Sequence, residues 1–264
     1  MDSAARQQFL EDYAKIRHAE GRGSANSAYY RELPDRDLSG RSPEQWRIRA
    51  RSFHTFERTV LADTERRSKR PLDVLDLGAG NGWMSYRLAS RGHRAVALDI
   101  FCDELDGLGA LGHYPVRFPA ASADFDSLPF REAAFDLAVF NSSFHYSSDY
   151  RRTLTEVRRC LRPGGSVVIM DSPLYRRSEH GEMMRAERQA YFEQTYGFRS
   201  DALKSIEYLD HGMLQELAQE LNIEWQYSRP WYGLRWALRP WKAMLRSKRP
   251  PSRFLILTGR FRDR

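Results

Sequence analysis

Cysteine is scarce in this chain: Cys102 and Cys160 are the two thiols in 264 residues. Two thiols build neither a disulfide framework nor a four-ligand structural zinc site, so the expectation is a reduced protein without a metal. Long apolar runs are missing as well. No stretch of eighteen apolar residues occurs, which excludes a helix of ordinary membrane-spanning length. The opening residues, Met1-Asp2-Ser3-Ala4-Ala5-Arg6-Gln7-Gln8, lack the apolar region of a secretory leader, and the expected location is cytoplasmic. Internal repeats and low-complexity tracts are absent.

Acidic residues run short in one region only. From Asn222 to Arg264 there are eleven Lys or Arg against Glu224 and Asp263, a local balance of +9. The whole chain is +7, so the rest sums to −2. A protein that coats nucleic acid spreads positive charge more evenly, and this asymmetry disfavours nucleic acid as the general partner.

Hydrophobic periodicity then divides the chain. A first helix is predicted over 2–20, a loop over 24–42, and a second helix from Ser42-Pro43-Glu44, in the order cap, proline, acid. From Leu72 strands and helices alternate. Strands are predicted at 72–77, 94–99, about 115–119, 135–140 and 166–170, with helices at about 82–91, 103–112 and after Tyr150. Apolar strands alternating with helices mean a mostly parallel sheet covered on both faces. A loose insertion follows at 172–210, then a helix at 211–221 and strands at 222–227 and 254–258.

The densest chemical signal is Val74-Leu75-Asp76-Leu77-Gly78-Ala79-Gly80-Asn81-Gly82. A buried strand runs into glycines that leave the backbone bare, and a helix then offers its free amides. A dinucleotide turn needs a last glycine where Trp83 stands, and an indole there counts against a nicotinamide or flavin dinucleotide. Asp99 ends the second strand, 21 residues after Gly78, where a carboxylate can accept ribose hydroxyl protons. Ala121-Ser122-Ala123-Asp124-Phe125, the strand ending at Asn141, and Leu161-Arg162-Pro163-Gly164-Gly165 follow in order.

In that order and spacing, residues 70–171 resemble the class I S-adenosylmethionine (SAM) methyltransferases, of the small-molecule, type 11-like kind. The resemblance implies a Rossmann-like α/β fold. Its sheet would have seven mostly parallel strands with helices on both faces, an antiparallel last strand, N-terminal helices and an insertion after strand five. It implies SAM as cofactor, held by Asp76, Gly78, Ala79, Gly80, Gly82, Asp99, Ile100, Asp124, Phe125 and Asn141. In that assignment Asp124 accepts the adenine amino group and Phe125 gives an apolar face, with Asp126 near enough to replace Asp124. A single methyltransferase domain is expected over 1–264: a helical cap at 1–70, a core at 71–171, an acceptor-covering insertion at 172–210 and a C-terminal part at 211–264.

For an acceptor that must lose a proton, His145, four residues past Asn141, is the candidate base, with Phe144 and Tyr146 beside it. No Asn-Pro-Pro-Tyr follows the fourth strand; Asn141-Ser142-Ser143-Phe144 stands instead, a departure from the enzymes that methylate amino groups of bases and protein amides. The expected acceptor is a small molecule with an oxygen, carbon or nitrogen nucleophile. Tyr13, Tyr29, Tyr30, Trp46, Tyr175, Tyr191 and Tyr196 are candidates for an aromatic acceptor wall. Residues 230–249 interleave Trp and Arg, with Leu234, Ala237 or Leu238, Trp241 and Leu245 on one helical face. That composition suits a helix on the sheet with a solvated basic side, or contact with a membrane surface or an anionic ligand. An RNA- or lipid-directed methyltransferase and a non-catalytic SAM-binding protein are the competing readings.

Overall fold

The computed structural model describes residues 3–199 and 204–262. Four of the insertion's residues, 200–203, and the outer ends of the first and last segments, residues 1–2 and 263–264, therefore lie outside the described residues. The chain opens with α1 (Ser3–Ala19), α2 (Ser27–Glu32) and α3 (Pro43–Phe56), which passes through one π-helical turn (Glu57–Leu61) into α4 (Ala62–Ser68). Then come β1 (Asp73–Leu77), α5 (Trp83–Ser90), β2 (Arg94–Asp99), β3 (Ala120–Ser122), β4 (Phe135–Asn141), α6 (Tyr150–Cys160) and β5 (Leu161–Met170). The insertion contains β6 (Leu174–Tyr175), α7 (Ser178–Tyr196) and β7 (Leu209–Asp210). The chain continues with α8 (His211–Leu221), β8 (Ile223–Ser228), α9 (Leu234–Ala237), α10 (Arg239–Leu245) and β9 (Ile256–Phe261).

Seven strands form one sheet in the order β3-β2-β1-β4-β5-β9-β8, and β6 pairs with β7 in a small separate ribbon. Neighbours from β3 to β5 are parallel, while β9 runs antiparallel to β5 and β8. The expected seven-stranded Rossmann-like sheet with its antiparallel last strand is what forms.

Strand alternation sorts the core into two layers. Val74, Leu137, Val139 and Val168 meet α2, α3 and α5 on one face. Leu75, Leu77, Ala138, Phe140, Val167 and Ile169 meet α6 and α8 on the other. α6 starts where the Asp149 carboxylate accepts the Arg152 amide at 3.0 Å, and α8 where Asp210 accepts the Met213 amide at 2.8 Å.

Several boundaries differ from the pattern-based expectation: the loop expected over 24–42 holds α2, and β5 begins at Leu161 rather than 166. β3 lies at 120–122 rather than 115–119, because Pro115 and Pro119 remove donors from that stretch; the ladder starts with the Pro119 carbonyl accepting the Ala97 amide at 3.0 Å. Within 103–112 the expected helix is a six-residue 3₁₀ segment, Leu108–His113. β9 ends three residues later than expected, and Phe254, outside the strand, packs at a tilt against Trp236 at 5.4 Å.

Leu75 sits on β1, between β2 and β4, and is buried. Leu75→Ala is expected to lower the unfolding free energy by about 2–5 kcal/mol, measured by urea denaturation. A loss well under that range would mean the second layer collapses around the gap.

Candidate functional site

The carboxyl ends of β1, β2 and β4 converge on a cavity of about 1030 Å³, its open mouth included. Open parallel sheets gather ligands at this edge. Asp76, Gly78, Ala79, Gly80, Asp99, Ile100, Asp124, Phe125 and Asn141 all line it. Gly82, which the sequence pattern grouped with them, does not appear in the lining. It caps α5 at φ +76°, and a β-carbon there would collide with Leu111, so its bareness serves packing. Gly78 lines the cavity, yet a β-carbon there would run into the Ser143 side chain.

The loop is fixed from the neighbouring strand. The Gly78 and Ala79 amides donate to the Leu98 carbonyl at 2.8 and 3.0 Å. The Gly80 amide donates to Asp99 Oδ2 at 2.7 Å and the Phe101 amide to Asp99 Oδ1 at 2.9 Å. Burial raises the Asp99 pKa, and these amides pull it back.

Asp76 is buried beneath the loop. Ser85 Oγ donates to its Oδ2 at 2.8 Å, while Oδ1 has no partner. Burial pushes its pKa from an ordinary 3.8 up to about 7. Asn141 Oδ1 is a second buried acceptor without a partner. Two orphaned acceptors in one cavity call for a ligand that brings donors. Asp124 lines the opposite part of the cavity, and Asp126 turns away to accept from Thr153 Oγ1 at 2.7 Å. Phe125 meets Phe140 edge-on at 5.3 Å, while Phe130 packs on Phe135 in the core.

The remaining wall comes from the N-terminal helices. α1 supplies Phe9, Tyr13 and Arg17, and α3 supplies Arg49. Tyr13 meets Phe101 edge-on at 5.0 Å and Tyr146 at 6.2 Å. Arg17 is ion-paired with the buried Asp106. A second cavity of about 910 Å³ adjoins the first and shares Tyr13, Arg17, Arg49, Ser142 and Tyr146 with it. Its far side holds Arg22, Asp171 and Arg188. Asp171 is buried, and burial pushes its pKa up to about 6 while Ser52 donates to Oδ1.

Arg17, Arg49 and Asp106 escape a sequence reading because nothing local marks them; the Arg17–Asp106 pair joins residues 89 apart in the chain. Of the candidate aromatic wall, Tyr13 faces the cavities, Tyr29, Tyr30, Trp46 and Tyr175 are buried in packing, and Tyr191 is exposed. Phe144 stacks on Tyr150 in the core.

His145 lines neither cavity. Its Nδ1 lies 3.2 Å from Ser172 Oγ. Burial, with Arg188 and Arg49 nearby, lowers its pKa to about 3. An imidazole so placed is a weak acceptor of a substrate proton near neutrality. Among the described residues no cluster of His, Cys, Asp and Glu could hold a metal ion, and no helix is long and apolar enough to cross a membrane.

Residues 75–169 match the profile of a family described as a methyltransferase domain. That stretch of the chain is therefore similar to a methyltransferase domain. A malonyl-(acyl-carrier protein) O-methyltransferase of Erwinia billingiae is 37% identical over 96 residues, 36% of this chain and 37% of that protein. One from Hahella chejuensis is 28% identical over 168 residues, 58% of this chain and 60% of that protein. These matches therefore span less than two thirds of either relative. A solved SAM-dependent methyltransferase from Mesorhizobium loti shares the fold, with a TM-score of 0.50 at 18% identity over 72% of this chain and 91% of that one. The solved Mesorhizobium loti protein is named as dependent on SAM. The donor set of this chain suits SAM: unpartnered carboxylate and amide oxygens for a cationic amino group, and an apolar ring beside an acid for a base.

The native state holds the Asp76 proton more tightly than the unfolded chain does. That contribution to stability is full below about pH 4 and is lost as pH rises through 7. Asp76→Asn, which cannot ionise, is expected to gain stability relative to wild type between pH 5 and pH 8, read by urea unfolding without SAM. A difference that does not change with pH would place the Asp76 proton elsewhere.

Proposed function

We propose that this protein methylates a carboxylate oxygen, on a small acyl-type acceptor or one borne by a carrier, using SAM as donor. The observation that carries the reading is Arg49. Its guanidinium lies over the Trp46 ring at 4.9 Å and lines both cavities. Among the described residues it has no ion pair or hydrogen bond. Burial, then Arg17 and Arg22, lower its pKa, with Asp171 and Asp106 opposing. A guanidinium in that position is short of an anion.

On this reading Asp76 and Asn141 receive the donor's amino group. Asp99 receives the ribose hydroxyls, and Asp124 with Phe125 the adenine. When bound, SAM supplies a methyl group on a sulfonium sulfur, which a carboxylate oxygen displaces in line, the C–S electron pair staying on sulfur and no proton moving. Such a reaction needs alignment and dryness more than a base, which agrees with the position of His145. Arg49 orients the carboxylate at the junction of the two cavities. α1, α3 and α7, through Tyr13, Ile48 and Phe192, exclude water from the acceptor side. The names of the O-methyltransferase relatives support the reading, since a malonyl group presents a free carboxylate.

Release of S-adenosylhomocysteine from SAM in the presence of malonyl thioesters and free dicarboxylates tests the activity. No release with any carboxylate, from protein that binds SAM in calorimetry, would remove the proposal. Asp99→Ala is expected to weaken SAM binding at least tenfold. Arg49→Ala is expected to raise the acceptor KM by about 10- to 100-fold with SAM affinity within twofold, because attraction to the carboxylate fades as its charge is lost. Loss of SAM affinity instead would assign Arg49 to the donor's own carboxylate. His145→Ala is expected to keep kcat within about threefold.

A further inference from the structure

The basic segment between β8 and β9 is helical, as its periodicity asks, but its apolar stripe faces outward. α9 and α10 run on through Leu238: its amide donates to the Leu234 carbonyl at 3.0 Å and its carbonyl accepts the Lys242 amide at 3.1 Å. The segment is fastened by its other side. Trp236 packs at a tilt against Tyr232 at 4.9 Å and Phe254 at 5.4 Å, and Arg239 donates to the Ser252 carbonyl at 2.8 Å. Leu234, Leu238, Trp241 and Leu245, spaced four, three and four apart, are left 49–80% exposed, and Trp231 and Met244 beside them are 64% and 63% exposed. A soluble surface does not ordinarily carry six large apolar side chains in one short stretch.

The charge around this face is predominantly positive, and the one acid lining the grooves beside it, Glu44, is ion-paired with Arg47 at 2.6 Å. Arg235, Lys242 and Arg246 interleave with the apolar residues and line the groove on one side of the segment. The groove on the other side is lined by Arg176, Arg229, Arg239 and Arg253, with no Asp or Glu among its lining residues. Burial, then Arg176 and Arg229, depress the Arg253 pKa, as expected of cations crowded without a counter-ion. A second copy of the chain would bring these cations against each other. Nucleic acid would use the cations but has nothing to bury the leucines. A bilayer with anionic headgroups satisfies both, with Trp at the headgroup level and Leu below it.

We propose that residues 229–249 form a docking surface for an anionic membrane, with the Leu234–Leu245 face entering the headgroup boundary. Tyr232 joins this surface to the site. Its hydroxyl lies 2.8 Å from Ser52 Oγ, which donates to Asp171 on the acceptor cavity. Docking thus sets the acceptor side of the site close to the lipid surface.

The full-length protein sedimented with vesicles tests this. Vesicles of phosphatidylcholine with about one third phosphatidylglycerol are compared with pure phosphatidylcholine, at about 0.1 M and about 0.5 M salt. Binding to the anionic vesicles is expected, at least tenfold weaker on neutral vesicles and at the higher salt. Trp241→Ser with Leu245→Ser, and separately Lys242→Glu with Arg246→Glu, are each expected to weaken it at least tenfold. These side chains are exposed, and SAM affinity measured by calorimetry stays within twofold, which separates this proposal from the donor-site reading. No binding to anionic vesicles overturns the proposal. So does vesicle binding that both double variants retain. A concentration-dependent dimer in light scattering that Trp241→Ser with Leu245→Ser abolishes, without vesicle binding, assigns the face to a second copy and also overturns it. An RNA oligomer bound more tightly than the anionic vesicles does the same.

Discussion

The Gly80 amide donates to the Asp99 carboxylate across the top of two neighbouring strands, and the donor pocket takes its shape from that bond. Asp99 cannot satisfy the loop unless β1 and β2 are in register, with Asp76 opposite Ala97 and Leu77 opposite Leu98. The loop cannot arch over Asp76 unless Gly78 and Gly80 adopt left-handed backbone, at φ +73° and +56°. Sheet pairing, the turn and the burial of Asp76 are thus one arrangement. The cost is a carboxyl group held in low dielectric with one oxygen unanswered. Such a debt is ordinary where a ligand is to bring the missing donors.

The two cavities divide the chemistry. Carboxylates and backbone amides line the first, four arginines with Glu20 and Asp171 line the second, and the two share Tyr13, Arg17 and Arg49 of α1 and α3. The fold provides the first cavity through its strand ends. The second comes from parts outside the alternating core, which is why it differs in character from one protein of this fold to another.

The legible residues share a local cause. Asp76 is the last residue but one of its strand, Asp99 and Asn141 end theirs, the apolar runs of all three strands are visible in the sequence, and parallel strands bring such ends to one edge. Asp124 and Phe125 follow the end of β3. The residues that escaped depend on what folds next to what. Arg49 is one of several arginines on α3, and only the packing of that helix turns it toward the cavities. Neighbouring residues in a tight turn also diverge: in the 3₁₀ turn Phe144–Tyr146, Tyr146 reaches the cavity while His145 faces Ser172. Periodicity in 230–249 gave a face without saying what lay opposite it, and the face turned out to be open.

α1 touches the rest of the molecule largely through the side chains that wall the cavities. Phe9, Tyr13 and Arg17 are lining residues, and Arg17 reaches Asp106 across the cavity rim. A ligand lying against them does for α1 what the burial of Trp46, Phe53 and Phe56 does for α3. The helix is therefore an element whose hydrophobic core is in part supplied from solution, and its local unfolding free energy should track the chemical potential of the molecule beneath it.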